Sequence, residues 1–196
     1  MPLFPPIPGE TPIDDASGLK IKGITLRREL SVFEAENIAK VATKYLVGKL
    51  TRRKAPFDYS WALRLHREMF GKVWKWAGHL RTENLNLGVP YHLVETELFQ
   101  LLESVPWWAG EPWMNQAARL HHQAVRIHPF QNGNGRWSRM LANIWLRLNG
   151  QHYTAWPEQT VGDESVIRGE YLAAIKAADQ GEYGPLVELH KRFTPS

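Results

Sequence analysis

Hydrophobic residues recur at helical spacing along most of this chain. The clearest case follows residue 135, where Met140, Leu141, Ile144, Trp145 and Leu148 fall on one face of a helix. The same periodicity predicts seven helices. They span residues 32–47, 60–70, 95–108, 113–126, 136–148, 164–178 and 185–193. The pattern therefore predicts an all-α fold.

Residues at the predicted helix ends support several of these boundaries. Ser31 and Glu34 have the spacing of a capping box before the first helix, and Gly48 is a typical stop after it. Asn149 and Gly150 likewise end the helix that begins near residue 136. Residues 71–78 contain two tryptophans between glycines, which indicates a turn or a short helix with aromatic core anchors.

One segment, residues 79–94, departs from the helical period. Leu85, Leu87 and Val89 alternate with Asn86 and Gly88, and this period of two is typical of a strand. The pattern predicts a small β-hairpin on the helical bundle, and an ordinary surface loop is the alternative. We call residues 82–90 the flap.

Length and proline content indicate one domain with an N-terminal arm. Of the 196 residues, 43% are hydrophobic, which suffices for a substantial core. Prolines at positions 2, 5, 6, 8 and 12 exclude a helix at the start of the chain. We expect residues 1–20 to form an extended arm and residues 21–196 to form a single domain.

Composition narrows the cellular setting and the class of partner. The chain has no cysteine, no long apolar run and no signal-peptide pattern, so we expect a cytoplasmic protein without a membrane partner. The net charge is +4 and the basic residues are dispersed. Dispersed charge favours a solvated surface over a nucleic-acid-binding face.

The chemistry concentrates in one stretch, His128-Pro-Phe-Gln-Asn-Gly-Asn-Gly-Arg-Trp-Ser-Arg139. Glycines that open into a helix leave backbone N–H groups free for an anion, and the helix dipole favours negative charge there. We expect Gly133, Asn134 and Gly135 to supply backbone donors, and Asn134 a side-chain amide, to phosphate oxygens. Arg136 and Arg139, three residues apart, match phosphates in charge and geometry.

His128 stands just before this loop and is the candidate general base. Its unperturbed pKa suits proton abstraction near neutrality. The alternative is a core histidine with satisfied hydrogen bonds, but its place beside a glycine loop and two arginines favours the catalytic role. A zinc site with His121 and His122 is disfavoured, because adjacent histidines point to different faces of a helix.

The His128–Arg139 stretch resembles the signature of the Fic (Fic/Doc) family. The whole chain resembles a small single-domain branch of it, mobile mystery protein B, in residues 29–38 and in Trp-Lys-Trp-Ala-Gly at 74–78. The resemblance implies a Fic-type helical bundle that transfers AMP from ATP, with Mg²⁺, to a Ser, Thr or Tyr hydroxyl of a target protein. It also implies that part of the flap docks the target by strand addition, namely Leu85, Asn86, Leu87, Gly88 and Val89. An antitoxin or other regulatory partner would be in keeping with this family.

Two positions depart from the family pattern. Asn132 stands where the family usually has an acidic Mg²⁺ ligand, and an amide oxygen brings no charge to the metal. An inhibitory helix in many members carries a glutamate that pairs with the second motif arginine. In this chain Glu36, followed by Asn37, is the better candidate to pair with Arg139, and Glu34 is the second. Capping or surface roles are the alternative for both acids, and the pattern favours that alternative slightly.

Three alternatives to AMP transfer remain open at the level of sequence. Asn132 leaves room for another phosphoryl-type reaction, namely transfer of phosphate or UMP, or removal of AMP. A non-catalytic nucleotide-binding or partner-binding module is the second, although such a module has no need for His128. Nucleic-acid binding is the third and rests only on an isoelectric point of about 9.4.

Overall fold

The computed structural model describes residues 18–21, 23, 27–157 and 166–195. Seven α-helices lie in these ranges. They are α1 (Arg27–Leu46), α2 (Tyr59–Phe70), α3 (Val94–Ser104), α4 (Trp113–Ile127), α5 (Asn134–Leu148), α6 (Val166–Asp179) and α7 (Gly184–Arg192). Short 3₁₀ helices, Tyr91–Leu93 and Val105–Trp108, flank α3. The all-α prediction is confirmed. The predicted arm, except residues 18–20, and the predicted start of α6 at residue 164 lie outside the described residues.

The α5 helix lies at the centre of the fold and packs against α1, α2 and α4. Its buried side chains extend from Asn134 to Leu146 with few interruptions. The large side chains of Trp137 and Leu141 on α5 are fully buried, as are those of Trp61 and Phe130. A helix buried on most of its surface is held by packing on every side. The fold therefore places the chain entering α5, where the motif lies, on its most constrained element.

Two helix starts illustrate how local signals compare with tertiary packing. The start of α2 follows its local signal, because Asp58 accepts a hydrogen bond from Trp61 N at 2.7 Å as an N-cap. The predicted capping box of Ser31 and Glu34 is wrong. The α1 helix begins at Arg27, so Ser31 lies inside it and the carboxylate of Glu34 is turned into the core.

The predicted β-hairpin over residues 79–94 is also wrong. Within this fully described segment the backbone forms turns and a 3₁₀ helix, with no strand. Gly88 has φ +101°, which breaks an extended run, and Pro90 offers no N–H to a ladder. Side chains supply the hydrogen bonds instead. Asn84 Oδ1 accepts from Tyr91 N at 2.9 Å and closes the flap as a loop.

Residues 71–78 form the turn that their glycines predict, and Trp74 and Trp76 pack on the core. Leu19 and Trp74 form an isolated antiparallel β-bridge, where Lys20 N donates to Val73 O at 2.8 Å. The chain ahead of α1 is thereby tied to the turn after α2. In the described parts of the chain, no helix is long and apolar enough to cross a membrane.

Candidate active site

The loop between α4 and α5 begins with a strained residue. His128 caps α4 in the left-handed conformation, with φ 53°, and its N–H donates to Ala124 O at 3.2 Å. Left-handed backbone is uncommon for residues other than glycine, and it persists where the surrounding structure imposes it. The side chain is only 7% exposed. The predicted base is therefore held in one place by the fold.

Asn134 spans this loop from its far end. Its Oδ1 accepts from Phe130 N at 2.9 Å and its Nδ2 donates to Phe130 O at 2.8 Å. Both bonds are buried, so this side chain satisfies the two backbone groups of Phe130 at once. The side chain of Asn134 therefore has a role in folding the loop, which the sequence did not predict. Its predicted bond to phosphate stays a prediction, and its backbone N–H is a further candidate donor.

A buried histidine on α2 supports the same loop. His66 stacks on Phe130 at 3.6 Å between ring centroids, and Gly78 N donates to its Nδ1 at 3.0 Å. Nε2 therefore carries the proton and donates to Asn132 O at 3.1 Å. Burial lowers the pKa of His66 to about 3, so it stays neutral. His66 is therefore a core histidine with both ring nitrogens hydrogen-bonded, which is the alternative role that the sequence left open for His128.

Both the backbone conformation and the space beside the chain require glycine at position 133. Its φ is +78°, and a Cβ added there would lie 2.7 Å from the ring of Phe70. Its N–H donates to Asn132 Oδ1 at 2.5 Å, so this predicted phosphate donor is used within the loop. At Gly135, by contrast, a Cβ would meet nothing closer than Arg139 Nη1 at 3.5 Å. Packing within the protein does not explain the glycine at position 135.

Free backbone donors lie one residue further along than predicted. The first intrahelical bond of α5 runs from Trp137 N to Gly133 O at 2.9 Å. The N–H groups of Asn134, Gly135 and Arg136 consequently have no acceptor within the helix. Three such N–H groups at the positive end of a helix dipole form an anion site of the kind that phosphates occupy.

The two motif arginines extend from α5 towards different helices. Arg136 reaches α1, where its Nη1 lies 2.6 Å from Glu34 Oε2, and its guanidinium lies over the ring of Phe70. Arg139 is buried and lies over the ring of Tyr171 on α6, at 5.5 Å from its centroid. Two guanidinium groups thus flank the start of α5, and the charge of Arg136 is offset by Glu34 in this structure.

The electrostatics of His128 keep it neutral. Burial, and to a smaller extent the positive charge of Arg81, lower its pKa to about 4, while a hydrogen bond to a backbone carbonyl opposes the shift. That bond joins Nδ1 to Val125 O at 3.3 Å. Because a carbonyl only accepts, Nδ1 carries the proton and Nε2 keeps its lone pair. Nε2 can therefore take a proton at neutral pH.

Arg81 is a residue of this site that the sequence pattern did not single out. It is 4% exposed, and its Nε donates to the carbonyl of His128 at 2.7 Å. Its Nη1 donates to Glu83 O at 2.8 Å, and its Nη2 donates to Val89 O. Leu85 and Val89 of the flap are half-buried, whereas Asn86, Leu87 and Gly88 are exposed. A buried arginine was not foreseeable, because Arg81 lies in a polar run.

The candidate inhibitory acids are placed differently from the prediction. Glu36 is exposed on α1, whereas Glu34 is buried and pairs with Arg136 rather than with Arg139. Trp74 Nε1 donates to the other Glu34 oxygen at 2.6 Å. The predicted Glu36–Arg139 pair is therefore wrong. Glu34 faces inward because α1 begins earlier than the capping signal implied.

The predicted metal position offers little to a divalent cation. Asn132 is 7% exposed, and its side-chain oxygen already accepts the hydrogen bond from Gly133 N. Across the described residues, no cluster of three His, Asp or Glu side chains could hold a metal. His121 and His122 point apart as expected: His121 contacts His190 and Tyr171, and His122 contacts Asp179.

Comparisons with known proteins show what this chain is similar to. The Fic/DOC family model matches residues 56–146. The chain is 28% identical over 190 residues to protein adenylyltransferase fic-1 of Caenorhabditis briggsae, covering 91% of this chain and 35% of that protein. It is 29% identical over 156 residues to protein adenylyltransferase Fic of Drosophila willistoni, covering 76% of this chain and 30% of that protein. The chain thus spans about a third of the length of these curated relatives.

Solved structures show the same fold. The BepC protein of Bartonella tribocorum with bound AMPPNP matches with a TM-score of 0.67 and 21% identity, covering 91% of this chain and 93% of that one. Fic-1 from C. elegans matches with a TM-score of 0.65 and 24% identity, covering 91% of this chain and 51% of that one. The part of this chain that the Fic/DOC family model matches, residues 56–146, contains His128 and the start of α5.

Proposed function

We propose that this protein transfers AMP from ATP to a hydroxyl side chain of a target protein. The observation that carries the proposal is the placement of a neutral, buried His128 beside the unpaired N–H groups of α5 and the two motif arginines. The adenylyltransferase names of the relatives, which extend well beyond this chain, point to the same reaction. A base next to an anion site fits transfer to a hydroxyl better than nucleotide binding alone.

In the proposed step, the target hydroxyl of Ser, Thr or Tyr attacks the α-phosphorus of ATP. His128 Nε2 accepts the hydroxyl proton while the new O–P bond forms. The bond from the α-phosphorus to the bridging oxygen breaks, and pyrophosphate leaves with that oxygen. His128 needs no prior deprotonation at neutral pH, because its burial already keeps the imidazole neutral.

We expect the start of α5 to bind the phosphates of ATP. The N–H groups of Asn134, Gly135 and Arg136 would hold phosphate oxygens, and Arg136 and Arg139 would neutralise the departing pyrophosphate. Gly135 supports this assignment. A Cβ there would fit the protein, so the bare backbone is better explained by the close approach of a phosphate oxygen.

Mg²⁺ finds no protein site of its own among these residues. The oxygen of Asn132 is engaged in the loop and carries no charge, so the residues present do not fit a resident metal. We therefore derive no step through Mg²⁺, and we expect any dependence on it to follow the phosphates of ATP.

Glu34 is the candidate for self-inhibition. Its carboxylate neutralises Arg136 in a buried pair, and a nucleotide phosphate would have to compete with it for that guanidinium. Replacing Glu34 by Ala is expected to raise the affinity for ATP at least about tenfold if the pair competes with phosphate. Glu36→Ala, at an exposed position on the same helix, is the matched control.

The flap is the proposed docking site for the target. Asn86, Leu87 and Gly88 are exposed, Gly88 lies against His128, and an extended target segment could pair with the backbone here. The partner is accordingly a protein presenting a hydroxyl in an extended segment. A separate antitoxin or regulator would be a further partner, and co-purification with the native chain would identify it.

The experiment is intact-mass spectrometry of the purified protein with ATP and Mg²⁺, alone and with cell lysate. Wild type and Glu34→Ala should yield an AMP adduct, and His128→Ala should slow its formation by about 10²- to 10⁴-fold. His152→Ala, an exposed histidine, is the control. A phosphate adduct in place of an AMP adduct would show that the protein transfers phosphate and not AMP. Tight ATP binding without any adduct, in all variants and with lysate, would favour a binding module.

A further inference from the structure

The guanidinium of Arg81 is hydrogen-bonded both to the motif loop and to the flap. Arg81 is buried, and among the described residues every acceptor that it contacts is a backbone carbonyl. Two acceptors belong to the motif side, His128 O at 2.7 Å and Ile127 O at 3.5 Å. The other two, Glu83 O and Val89 O, lie near the two ends of the flap. A planar fork of five donors can bridge such a set, whereas an ammonium group cannot.

The backbone of Arg81 adds to this bridge. Its N–H donates to Pro129 O at 3.0 Å, directly after His128. Residues on both sides of the candidate base, Ile127 to Pro129, are therefore bonded to one residue of the flap side. Because His128 adopts a left-handed conformation, its backbone needs such external support.

Gly88 brings the tip of the flap against His128. A Cβ placed on Gly88 would lie 2.6 Å from His128 Cβ and 2.9 Å from Arg81 Nη2. Its φ of +101° also disfavours any side chain. The close approach exists because the Arg81 fork draws Val89 and Glu83 towards the motif loop. The weaker contact from Gln131 Nε2 to Glu83 Oε1, at 3.4 Å, lies at the surface.

We propose that Arg81 is the positioning residue of this site, which fixes the flap in register with His128 so that a docked target hydroxyl meets the base. The part about the target rests on the proposed function, whereas the coupling of flap and loop does not. Loss of the Arg81 guanidinium would leave four carbonyls without their donor. The flap would then become more mobile, and the backbone of His128 would lose part of its support. This loss would leave the phosphate-binding start of α5 intact.

The test compares Arg81→Gln and Arg81→Lys with wild type by hydrogen exchange and by NMR titration of His128. Arg147→Gln is the matched control, because Arg147 also donates to backbone carbonyls, those of Gln151 and Gly48, far from the loop. Both Arg81 variants should speed exchange of the hydrogen-bonded amides at the two ends of the flap, those of residue 81 (to Pro129 O) and Tyr91 (to Asn84 Oδ1), about tenfold or more, since charged hydrogen bonds are lost. The control should leave this exchange unchanged.

The two substitutions separate the effect of the hydrogen-bonding geometry of Arg81 from the effect of its charge. Arg81→Gln removes both, so the pKa of His128 should rise above about 4 by the part of its lowering that the charge of Arg81 causes, which is smaller than the part caused by burial. Arg81→Lys keeps the charge but not the fork, so it should free the flap and leave the pKa nearer to the wild-type value. Flap exchange at the wild-type rate in both variants would overturn the proposal, as would full rescue by Arg81→Lys.

Activity supplies a second readout. With ATP binding unchanged, the rate of AMP transfer to the target should fall about tenfold or more in both variants. If Arg81→Gln fails to fold, Gly88→Ala tests the same contact from the flap side and should likewise speed flap exchange. If no variant or wild type transfers AMP, the proposed function fails, while exchange and titration still decide the role of Arg81.

Discussion

The motif loop and the flap meet at His128, yet they are held in different ways. The motif loop is held by a hydrogen bond from His66 to Asn132 O and by the side-chain bonds of Asn134 to Phe130. The ring of Phe70 lies close to Gly133. The flap, residues 82–90, is mostly exposed and is held largely by the Arg81 fork and the Asn84 bond. One region is fixed by many buried contacts and the other by a few.

This difference matches the demands on each region. A general base must be held within a fraction of an ångström of its productive position, which requires support from several directions. A docking segment must accept a partner, and segments with few buried contacts open at low cost in free energy. We therefore expect changes in the motif loop to affect global stability and changes in the flap to affect local exchange and target use.

Two asparagines that each close a loop provide the largest expected contrast. Asn134→Ala would leave the N–H and the carbonyl of Phe130 buried and unpaired, which should lower the free energy of unfolding by about 3 kcal/mol. Asn84→Ala removes one exposed bond to Tyr91 N and should cost less than about 1 kcal/mol. Urea unfolding of both variants measures the difference. Equal losses would contradict the idea that the two loops are held differently.

Two glycines of the motif provide the next contrast. Gly133→Ala should lower the free energy of unfolding by about 2 kcal/mol, because φ is +78° and the new Cβ would strike Phe70. Gly135→Ala should change it by less than about 0.5 kcal/mol, since the space is open. ATP affinity, measured by calorimetry, should nevertheless fall in Gly135→Ala. Unchanged ATP affinity in that variant would count against a phosphate at this position.

Acid should weaken the motif loop through His66. Its pKa is about 3 in the folded protein and near 6.5 when unfolded, so between those values protons bind the unfolded chain preferentially. Stability from this group is complete above about pH 6.5 and is lost, by at most about 1.4 kcal/mol per pH unit, as the pH falls. Buried His190, with a pKa also of about 3, adds to the effect.

Unfolding measured from pH 7.5 to pH 4.5 checks this sign. Replacing His66 by Asn should lower stability at neutral pH and reduce the slope of stability against pH. His79→Gln, which replaces an exposed histidine next to the flap, is the control variant. An unchanged slope in the His66 variant would show that other groups dominate the acid response.

The smallest expected effect on stability is at the tip of the flap. Leu87 is 39% exposed, and Leu87→Ala should change the free energy of unfolding by less than about 0.5 kcal/mol. Modification of the target should still weaken, because the flap is the proposed docking surface. Phe99→Ala, an exposed apolar residue on α3, is the control. Equal effects of the two variants on target modification would remove Leu87 from the docking surface.

Local signals predicted the helices well and located the motif loop between two of them. Helix periodicity placed α2, α4 and α7 within about two residues of their observed bounds, because an amphipathic face is visible in sequence. The loop chemistry was also visible, since glycine, arginine and histidine carry it directly. The same signals failed at Ser31 and at the flap, where capping and alternation indicated structures that packing did not adopt.

The sequence by itself determined an all-helical chain with a histidine, a glycine loop and two arginines leading into its central helix. It could not determine which polar side chains serve the loop and which face a ligand. Tertiary structure assigned Asn134 and Asn132 to the loop, Glu34 to Arg136 and Arg81 to the flap. These pairings join residues from separate helices, turns and loops, and their choice depends on which groups are buried together, because a buried polar group must find a partner.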